Sequence, residues 1–386
     1  MSQSTTLRAY YFASFASIGI FLPFISPWLL ALGMKGASLG LIAATRPLAG
    51  ILAPVIFGWL ADTLGLRGGI LKMACFGAFL PFALLVVWAS KGASLTFPEL
   101  LFAVALSSFF RVPMMTIADV SALEHSKDYG SLRLFGSLGF MAAALLAGKF
   151  VDPTRALEFP AAVALAFLFS LGLSFRFPNR VAVPRRPLPS DAIELLRRPA
   201  FVSLLVTTTI WACAHVAYDL CISLHLKDLG ASPLVTSLAW TIGVIAEILL
   251  MALWAKLALR SPSERWLKIG IIGTAIRFAA LAATSDLGTV LWLQPLHALS
   301  FAVVWMALMN LVRQRAPVTL LGTAQGLFST ATSVGATIGM LGFASLYEHG
   351  HGRVTFAVAA IVALCALIGF SLPTDAGTSS EREAQA

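Results

Sequence analysis

The chain has 386 residues, of which 58% are hydrophobic and only 12% carry a charge. A soluble domain of this length does not need so much apolar surface, so the composition excludes an ordinary soluble protein and indicates one embedded in a bilayer. The formal net charge is +9, and the excess positive charge falls in short loops, where it reports membrane orientation rather than nucleic-acid binding.

Apolar segments of about 20 residues, separated by charged or Pro- and Gly-containing breaks, predict transmembrane helices. The first starts near Tyr10, is too long for the apolar region of a signal peptide and is followed by no cleavage site, so we expect it to be retained. In chain order the predicted spans are 10–32, 39–61, 70–90, 97–122, 131–150, 158–176, 200–226, 233–256, 266–284, 288–311, 322–347 and 354–372. The predicted fold class is therefore an all-α membrane protein with twelve transmembrane helices.

The positions of lysine and arginine predict how these helices are oriented. With the N-terminus in the cytoplasm, most basic loop residues fall on the cytoplasmic side, and both termini are then cytoplasmic. The longest loop is rich in Pro and Arg. It predicts an N-terminal six-helix half (1–176), a cytoplasmic linker (177–199), a C-terminal six-helix half (200–372) and a disordered cytoplasmic tail (373–386). Two sets of six helices indicate structural repeats.

Two of the spans carry small residues on one face. These are Gly136, Gly139, Ala143 and Ala147 in the fifth span, and Gly335, Gly339 and Gly342 in the eleventh. Such faces let helices approach closely. Two interpretations remain open, which are static packing within the bundle and a sliding contact between the two halves.

Six charged residues lie inside the predicted spans: Arg46, Arg111, Asp119, Asp219, Glu247 and Arg277. A charge at the centre of the bilayer costs about 2.5–3.5 kcal/mol on insertion scales, so these residues predict a polar route through the protein. With a rise of about 1.5 Å per residue, Glu247 and Arg277 reach the same depth in neighbouring helices, which predicts an ion pair. The pair could tie the two helices together, or Glu247 could exchange a proton while Arg277 tunes it.

The C-terminal half contains further groups that could move protons. Asp219 lies deep in the seventh span and could pair with His215, Arg277 or His297. The imidazole of His297 titrates near neutral pH, so it could relay a proton, bind substrate or hold a backbone carbonyl. We therefore assign proton coupling to Glu247, Asp219 and Arg277.

Charges in the N-terminal half suggest a different role. Asp119 and Arg133 face each other across a short loop and are expected to form an ion pair. Arg46 and Arg111 have no obvious acid nearby, and an unpaired guanidinium in a cavity binds carboxylates. Aromatic residues that could line such a site, or could simply face lipid and core, include Phe12, Phe15, Phe21, Trp28, Phe109, Phe110, Trp211, Tyr218, Trp240 and Trp305. Substrate binding is assigned to Arg46, Arg111, Tyr218, Trp240 and His297.

Residues 58–67 read GWLADTLGLR, between the second and third spans. Asp62 falls at the membrane edge, Gly65 permits a tight turn, and Arg67 meets lipid headgroups or an acid. The run resembles the Gly-x-x-x-Asp-x-x-Gly-x-Arg loop of the major facilitator superfamily. The resemblance implies that Asp62 helps to latch the cytoplasmic side. Gating is assigned to Asp62, Arg67, Asp119 and Arg133.

Three other runs point to a narrower group: DYGSLRLFGSLGF at 128–140, QPLHALSF at 294–301 and GTAQGLF at 322–328. Together they resemble the phenylpropionate permease group, relatives of lactose permease, whose members are taken to import small organic solutes with protons. The resemblance implies that Arg133, in its RLFG setting, helps to bind substrate. His297 matches a histidine that lactose-permease relatives follow with an acid one turn later, where this chain has Ser300.

The leading hypothesis is a secondary active transporter that takes up a small organic acid, such as an aromatic one, with protons by alternating access. The alternatives are a nucleoside, sugar or siderophore importer, a drug or metabolite efflux carrier, and a membrane sensor that does not transport. The sequence has no nucleotide-binding loop or catalytic triad, which argues against an ATP-driven pump or an enzyme. We expect a monomer in the bacterial inner membrane that contacts lipids, protons and a small-molecule substrate, and that uses no nucleic acid, cofactor or metal.

Overall fold

A computed structural model describes residues 3–64, 67–125, 129–177 and 189–370, and the regular elements in these ranges are helices. Before residue 178 they are α1 (Gln3–Ala31), α2 (Gly36–Leu64), α3 (Arg67–Ser90), α4 (Phe97–His125), α5 (Tyr129–Phe150) and α6 (Glu158–Ser174). After residue 188 they are α7 (Pro189–Leu196), α8 (Pro199–Asp228), α9 (Pro233–Ala258), α10 (Ser263–Ala283), α11 (Leu287–Trp292), α12 (Val304–Arg315) and α13 (Leu321–Phe370).

Within these residues, ten helical stretches are long and apolar enough to cross a membrane. Helix α6 is apolar but has only 17 residues. Helix α13 is a merger of two helices at His351, whose φ of 49° breaks the helical geometry. The described residues thus contain ten candidate spans, with the predicted sixth segment matched by the shorter α6 and the predicted eleventh and twelfth joined in one element.

Local sequence explains where several helices begin. Pro233 occupies the first turn of α9, and the hydroxyl of Ser232 accepts a hydrogen bond from the Val235 amide at 3.3 Å. Asp286 caps α11 in the same way, accepting from the Thr289 amide at 2.7 Å. The hydrogen bonds from Thr289 hold the pKa of the Asp286 carboxyl below its usual range.

The stretch from α11 to α12 is not one regular helix. A 3₁₀ turn at Gln294–Leu296 is followed by a π-helical segment at Ala298–Val303 before α12 begins. A π-helix is rare and often marks a functional position. Here it lies among three buried polar residues, Gln294, His297 and Ser300.

Glycines fix the closest helix contacts. A Cβ on Gly139 of α5 would overlap the backbone of Phe12 in α1, and one on Gly335 of α13 would overlap Thr209 in α8. The helices before residue 178 form one group and those after residue 188 form a second. Each of these two contacts joins helices of a single group. In this structure these two glycines therefore pack helices within one group and do not form a contact between the two groups.

Contacts between the two groups of helices use other small residues. On α2, Gly40 lies against the backbone of Met340 in α13. On α5, Gly148 lies against Ser237 of α9. One apolar core runs through both groups, from Leu7 to Ala360.

Part of the predicted linker 177–199 is helical. Residues 178–188 lie outside the described residues, as does the predicted tail at 373–386. Helix α7 forms because Leu195 is buried in a core cluster with Phe201 and Leu204. The prediction of a loop is therefore wrong for this last part of the linker.

Candidate functional site

Arg277 on α10 is fully buried and is the centre of a polar network. One guanidinium nitrogen donates to Ser300 Oγ at 3.0 Å and lies 3.1 Å from His297 Nδ1, and the other donates to Gln294 Oε1 at 3.0 Å. The Tyr218 hydroxyl donates to the same Gln294 oxygen at 2.8 Å, and the guanidinium lies 4.2 Å from the centre of the Tyr218 ring. Neutral dipoles and an aromatic face therefore solvate this charge.

His297 lies between Arg277 and Glu247. Its Nε2 is 3.7 Å from Glu247 Oε2, and no carboxylate of the described residues forms an ion pair with Arg277. The predicted direct pair of Glu247 and Arg277 is therefore wrong, because a side chain from the following span fills the space between them. Since a guanidinium can only donate, Nδ1 accepts and the imidazole proton lies on Nε2, towards Glu247.

Asp219 on α8 forms an ion pair with Arg46 on α2, with 3.4 Å between Asp219 Oδ2 and Arg46 Nη2. Both side chains are 23% exposed. We predicted that Asp219 could pair with His215, Arg277 or His297 and that Arg46 has no acid nearby. Both predictions are wrong, because Asp219 and Arg46 pair with each other. The two residues are 173 positions apart, so the contact depends on how the two groups of helices meet.

Arg46 and Arg111 line one small cavity of about 10 Å³, room for about one water molecule. Its other lining residues are Ser17, Ile18, Phe21, Ser107, Ser108 and Phe167. Arg111 is partly buried and forms no hydrogen bond or ion pair with any described residue, and Arg46 is its charged neighbour. The prediction that Arg46 and Arg111 lack an acidic partner is thus correct for Arg111 and wrong for Arg46.

Asp119 and Arg133 form the predicted ion pair, with 3.4 Å between Asp119 Oδ1 and Arg133 Nη1. Tyr11 on α1 also donates to Asp119 Oδ1 at 2.6 Å, and the Arg133 guanidinium lies 5.2 Å from the centre of the Phe15 ring. This prediction is confirmed. The side chains of Asp62 and Arg67 lie outside the described ones, so their assignment to gating stays a prediction.

Aromatic rings enclose the network. Tyr218 lies 5.1 Å from His297 and 5.2 Å from Trp240, measured between ring centres, and Trp240 Nε1 donates to Ser223 at 3.0 Å. Phe301 also stacks on His297, at 5.4 Å between ring centres with an interplanar angle of 3°. Tyr218, Trp240 and His297, assigned from sequence to one site, do lie together.

The sequence reasoning missed Gln294 and Ser300 as partners of Arg277. Both are neutral, and no charge pattern identifies such residues. One signal was available, because Gln294 and Ser300 lie in the QPLHALSF run with His297. Spacings of three residues along a helix place such side chains on one face.

Comparisons with known proteins agree with this architecture. The model of the MFS_1 like family matches residues 4–358. A probable 3-phenylpropionic acid transporter of Escherichia coli (strain K12) is 29% identical over 382 residues, covering 95% of this chain and 97% of the relative. A maltose permease of Geobacillus stearothermophilus is 27% identical over 334 residues, with 85% and 83% covered. The crystal structure of a point mutant of the nucleoside transporter NupG superimposes with a TM-score of 0.83 at 14% identity, covering 96% of this chain and all of that one.

These relatives are membrane transporters of bacteria, not enzymes, and they extend over most of the chain. The apolar helices and the relatives together indicate an integral protein of the inner membrane. The resemblance read from the loop between α2 and α3 is confirmed. The chain belongs to the MFS_1 like family and is a transporter of the major facilitator superfamily.

Proposed function

We propose that this transporter takes up a small organic acid, such as an aromatic monocarboxylate, together with protons. The observation that carries the proposal is Arg111, a partly buried arginine without a partner beside Arg46 in a cavity. A guanidinium in such a position binds carboxylate through charge-assisted hydrogen bonds. The name of the Escherichia coli relative, a probable 3-phenylpropionic acid transporter, supports this substrate class.

Alternating access supplies the route. In this proposal α6 and the two parts of α13 complete twelve spans, both termini are cytoplasmic, and the halves 1–176 and 200–372 rock about a central site. A cavity of about 10 Å³ is too small for an organic acid. Binding therefore requires the halves to move, and the acid would then contact Arg111 and Arg46 on one side and Tyr218, Trp240 and His297 on the other.

Protons would enter through the polar network of the C-terminal half. Glu247 lies 3.7 Å from His297, whose other ring nitrogen lies 3.1 Å from Arg277. A proton on Glu247 removes the charge that faces His297, and this changes the electrostatics around Arg277 without moving a helix. Arg133 and Asp219 also act electrostatically on Glu247. We assign the coupling proton to Glu247, with Arg277 and Asp219 setting its environment.

Gating is assigned to the ends of the helices. The ion pair of Asp119 and Arg133 is partly exposed and links α4 to α5. With Asp62 at the end of α2 and Arg67 at the start of α3, it would hold one face of the N-terminal half in register while the halves rock. The transporter would act as a monomer in this scheme.

The test measures uptake of 3-phenylpropionate into proteoliposomes that contain the Glu247→Gln variant. We expect accumulation driven by an inward proton gradient to be lost while counterflow between labelled and unlabelled acid continues. Glu264→Gln is the matched control, because Glu264 is an acid that faces an arginine, Arg315, at 3.8 Å in a different part of the molecule. Full gradient-driven accumulation by Glu247→Gln would refute the proton assignment.

A neutral solute, a nucleoside or a sugar, is the second candidate. Asp219 already balances the charge of Arg46, which leaves a single unpaired arginine at the cavity. The maltose permease and nucleoside transporter among the similar proteins support this class. A thermal-shift panel of organic acids, nucleosides and sugars with purified protein distinguishes the two, since a bound ligand raises apparent stability.

A further inference from the structure

Arg46 takes part in two arrangements at once. It lines the cavity that holds Arg111, and it reaches from α2 to the carboxylate of Asp219 on α8. We propose that Asp219 is an internal carboxylate that occupies Arg46 in the empty transporter and that the carboxylate of the substrate displaces it. This inference rests on the proposed uptake of an organic acid and adds a specific role for Asp219.

The contact between the two side chains is suited to exchange. A guanidinium has five donor hydrogens and binds a carboxylate most strongly through two parallel hydrogen bonds. Arg46 makes one contact to Asp219, at 3.4 Å, and donates no other hydrogen bond to a described residue. Both side chains keep 23% of their surface exposed, so neither is locked by packing. A carboxylate held by Arg46 and Arg111 together would gain donors that Asp219 does not use.

A second partner for Asp219 is already in place. His215 lies one turn earlier on the same helix, and residues four apart face each other along a helix. His215 is 6% exposed, and its Nδ1 has no hydrogen-bond partner. The ring packs against Trp211 and Phe301, each 5.2 Å away between ring centres. Buried polar atoms are rarely left unpaired, so Nδ1–H of His215 can donate to Asp219 once Arg46 releases it.

Displacement would link binding to movement. The pair of Arg46 and Asp219 joins α2 to α8, helices that belong to the two different halves of the proposed fold. When the substrate takes Arg46, this connection opens and Asp219 turns to a partner within its own helix. The empty transporter thus holds its halves together with the same charge that the substrate needs.

Asp219→Asn tests the inference, with 3-phenylpropionate as the probe and 3-phenylpropionamide as its uncharged counterpart. Removing the competing carboxylate should tighten binding of the acid at least about fivefold, the lower range of typical coupling between sites. Binding of the amide should not change. The apparent melting temperature without the acid should fall, and saturating acid should restore it. Glu264→Gln, which removes an acid from another arginine pair, should show none of these effects.

A second variant tests the destination of Asp219. His215→Phe should weaken binding of the acid when Asp219 is present and have no effect in the Asp219→Asn background. Asp219→Ser replaces Asp219→Asn if the latter does not fold. Equal or weaker binding of the acid by the Asp219 variants, or a gain shared by the amide, would overturn the inference while leaving the proposed function intact. If the unchanged protein binds none of a panel of organic acids, the proposed function fails, and the inference with it.

Discussion

Arg277 and Arg111 are both arginines inside membrane spans, and their surroundings are opposite. Arg277 is fully buried and uses its terminal nitrogens on Gln294, His297 and Ser300. Arg111 lines a cavity and forms no hydrogen bond or ion pair with any described residue. Both are arginines within apolar spans, so residue type and position in a span do not predict the role. The neighbours decide whether a buried arginine stabilises the fold or remains free for a ligand.

Replacing Arg277 should give the largest effect on stability. Arg277→Met removes the guanidinium donor from His297 and Ser300 and leaves Gln294 Oε1 with Tyr218 as its donor. Hydrogen bonds to a charged group are worth about 1.5–3 kcal/mol each. We expect the free energy of unfolding to fall by about 3 kcal/mol or more, measured by thermal or denaturant unfolding in detergent. A variant as stable as the parent would show that the network is not structural.

Replacing Arg111 should affect binding and not stability. Arg111→Gln should weaken binding of the acid substrate about 100-fold, which is about 2.7 kcal/mol. The stability should change by less than about 0.5 kcal/mol, because no partner is lost. Titration of the acid into purified protein measures the first effect, and unfolding measures the second. Arg111→Lys keeps the charge and should lose less affinity for the acid. If Arg111→Gln lowered the free energy of unfolding substantially, Arg111 would be a structural residue like Arg277.

Close helix contacts should contribute similarly to stability in the two groups of helices, before residue 178 and after residue 188. Gly139→Ala and Gly335→Ala each place a methyl group against a neighbouring backbone, and overpacking of this kind costs about 1–3 kcal/mol. Gly342→Ala on α13 meets no atom within 4 Å and serves as the control. If Gly139→Ala and Gly335→Ala lower stability by similar amounts and Gly342→Ala does not, helix packing is equivalent in the two groups of helices. The difference between Arg277 and Arg111 then comes from their polar neighbours. The measurement is thermal unfolding of each variant.

Tyr218→Phe should have the smallest effect. The variant removes one hydrogen bond to Gln294 Oε1, which Arg277 still donates to. We therefore expect a loss of about 1 kcal/mol in the free energy of unfolding. A loss as large as that of Arg277→Met would mean that the tyrosine, rather than the arginine, organises the network.

Sequence reasoning predicted the helices well because bilayer thickness sets the length of apolar segments. It missed α7, whose helix depends on burying Leu195 against distant residues. In the site, the pair of Asp119 and Arg133 could be predicted, since only a short loop separates their helices. The pair of Arg46 and Asp219 could not, because it depends on how two groups of helices meet.

The π-helical segment at Ala298–Val303 affects how this chain is aligned with its relatives. Backbone hydrogen bonds there skip one residue more than in an α-helix, so each turn takes up an additional residue. Suppose that a relative has a regular α-helix in this span. An alignment that is correct before the π-helical segment would then be shifted by one residue after it. Ser300 lies inside the segment, so equating it with the acid of lactose-permease relatives by counting turns is unsafe. Homologous positions along this span are better assigned by shared hydrogen bonds, such as the one from Arg277 to Ser300.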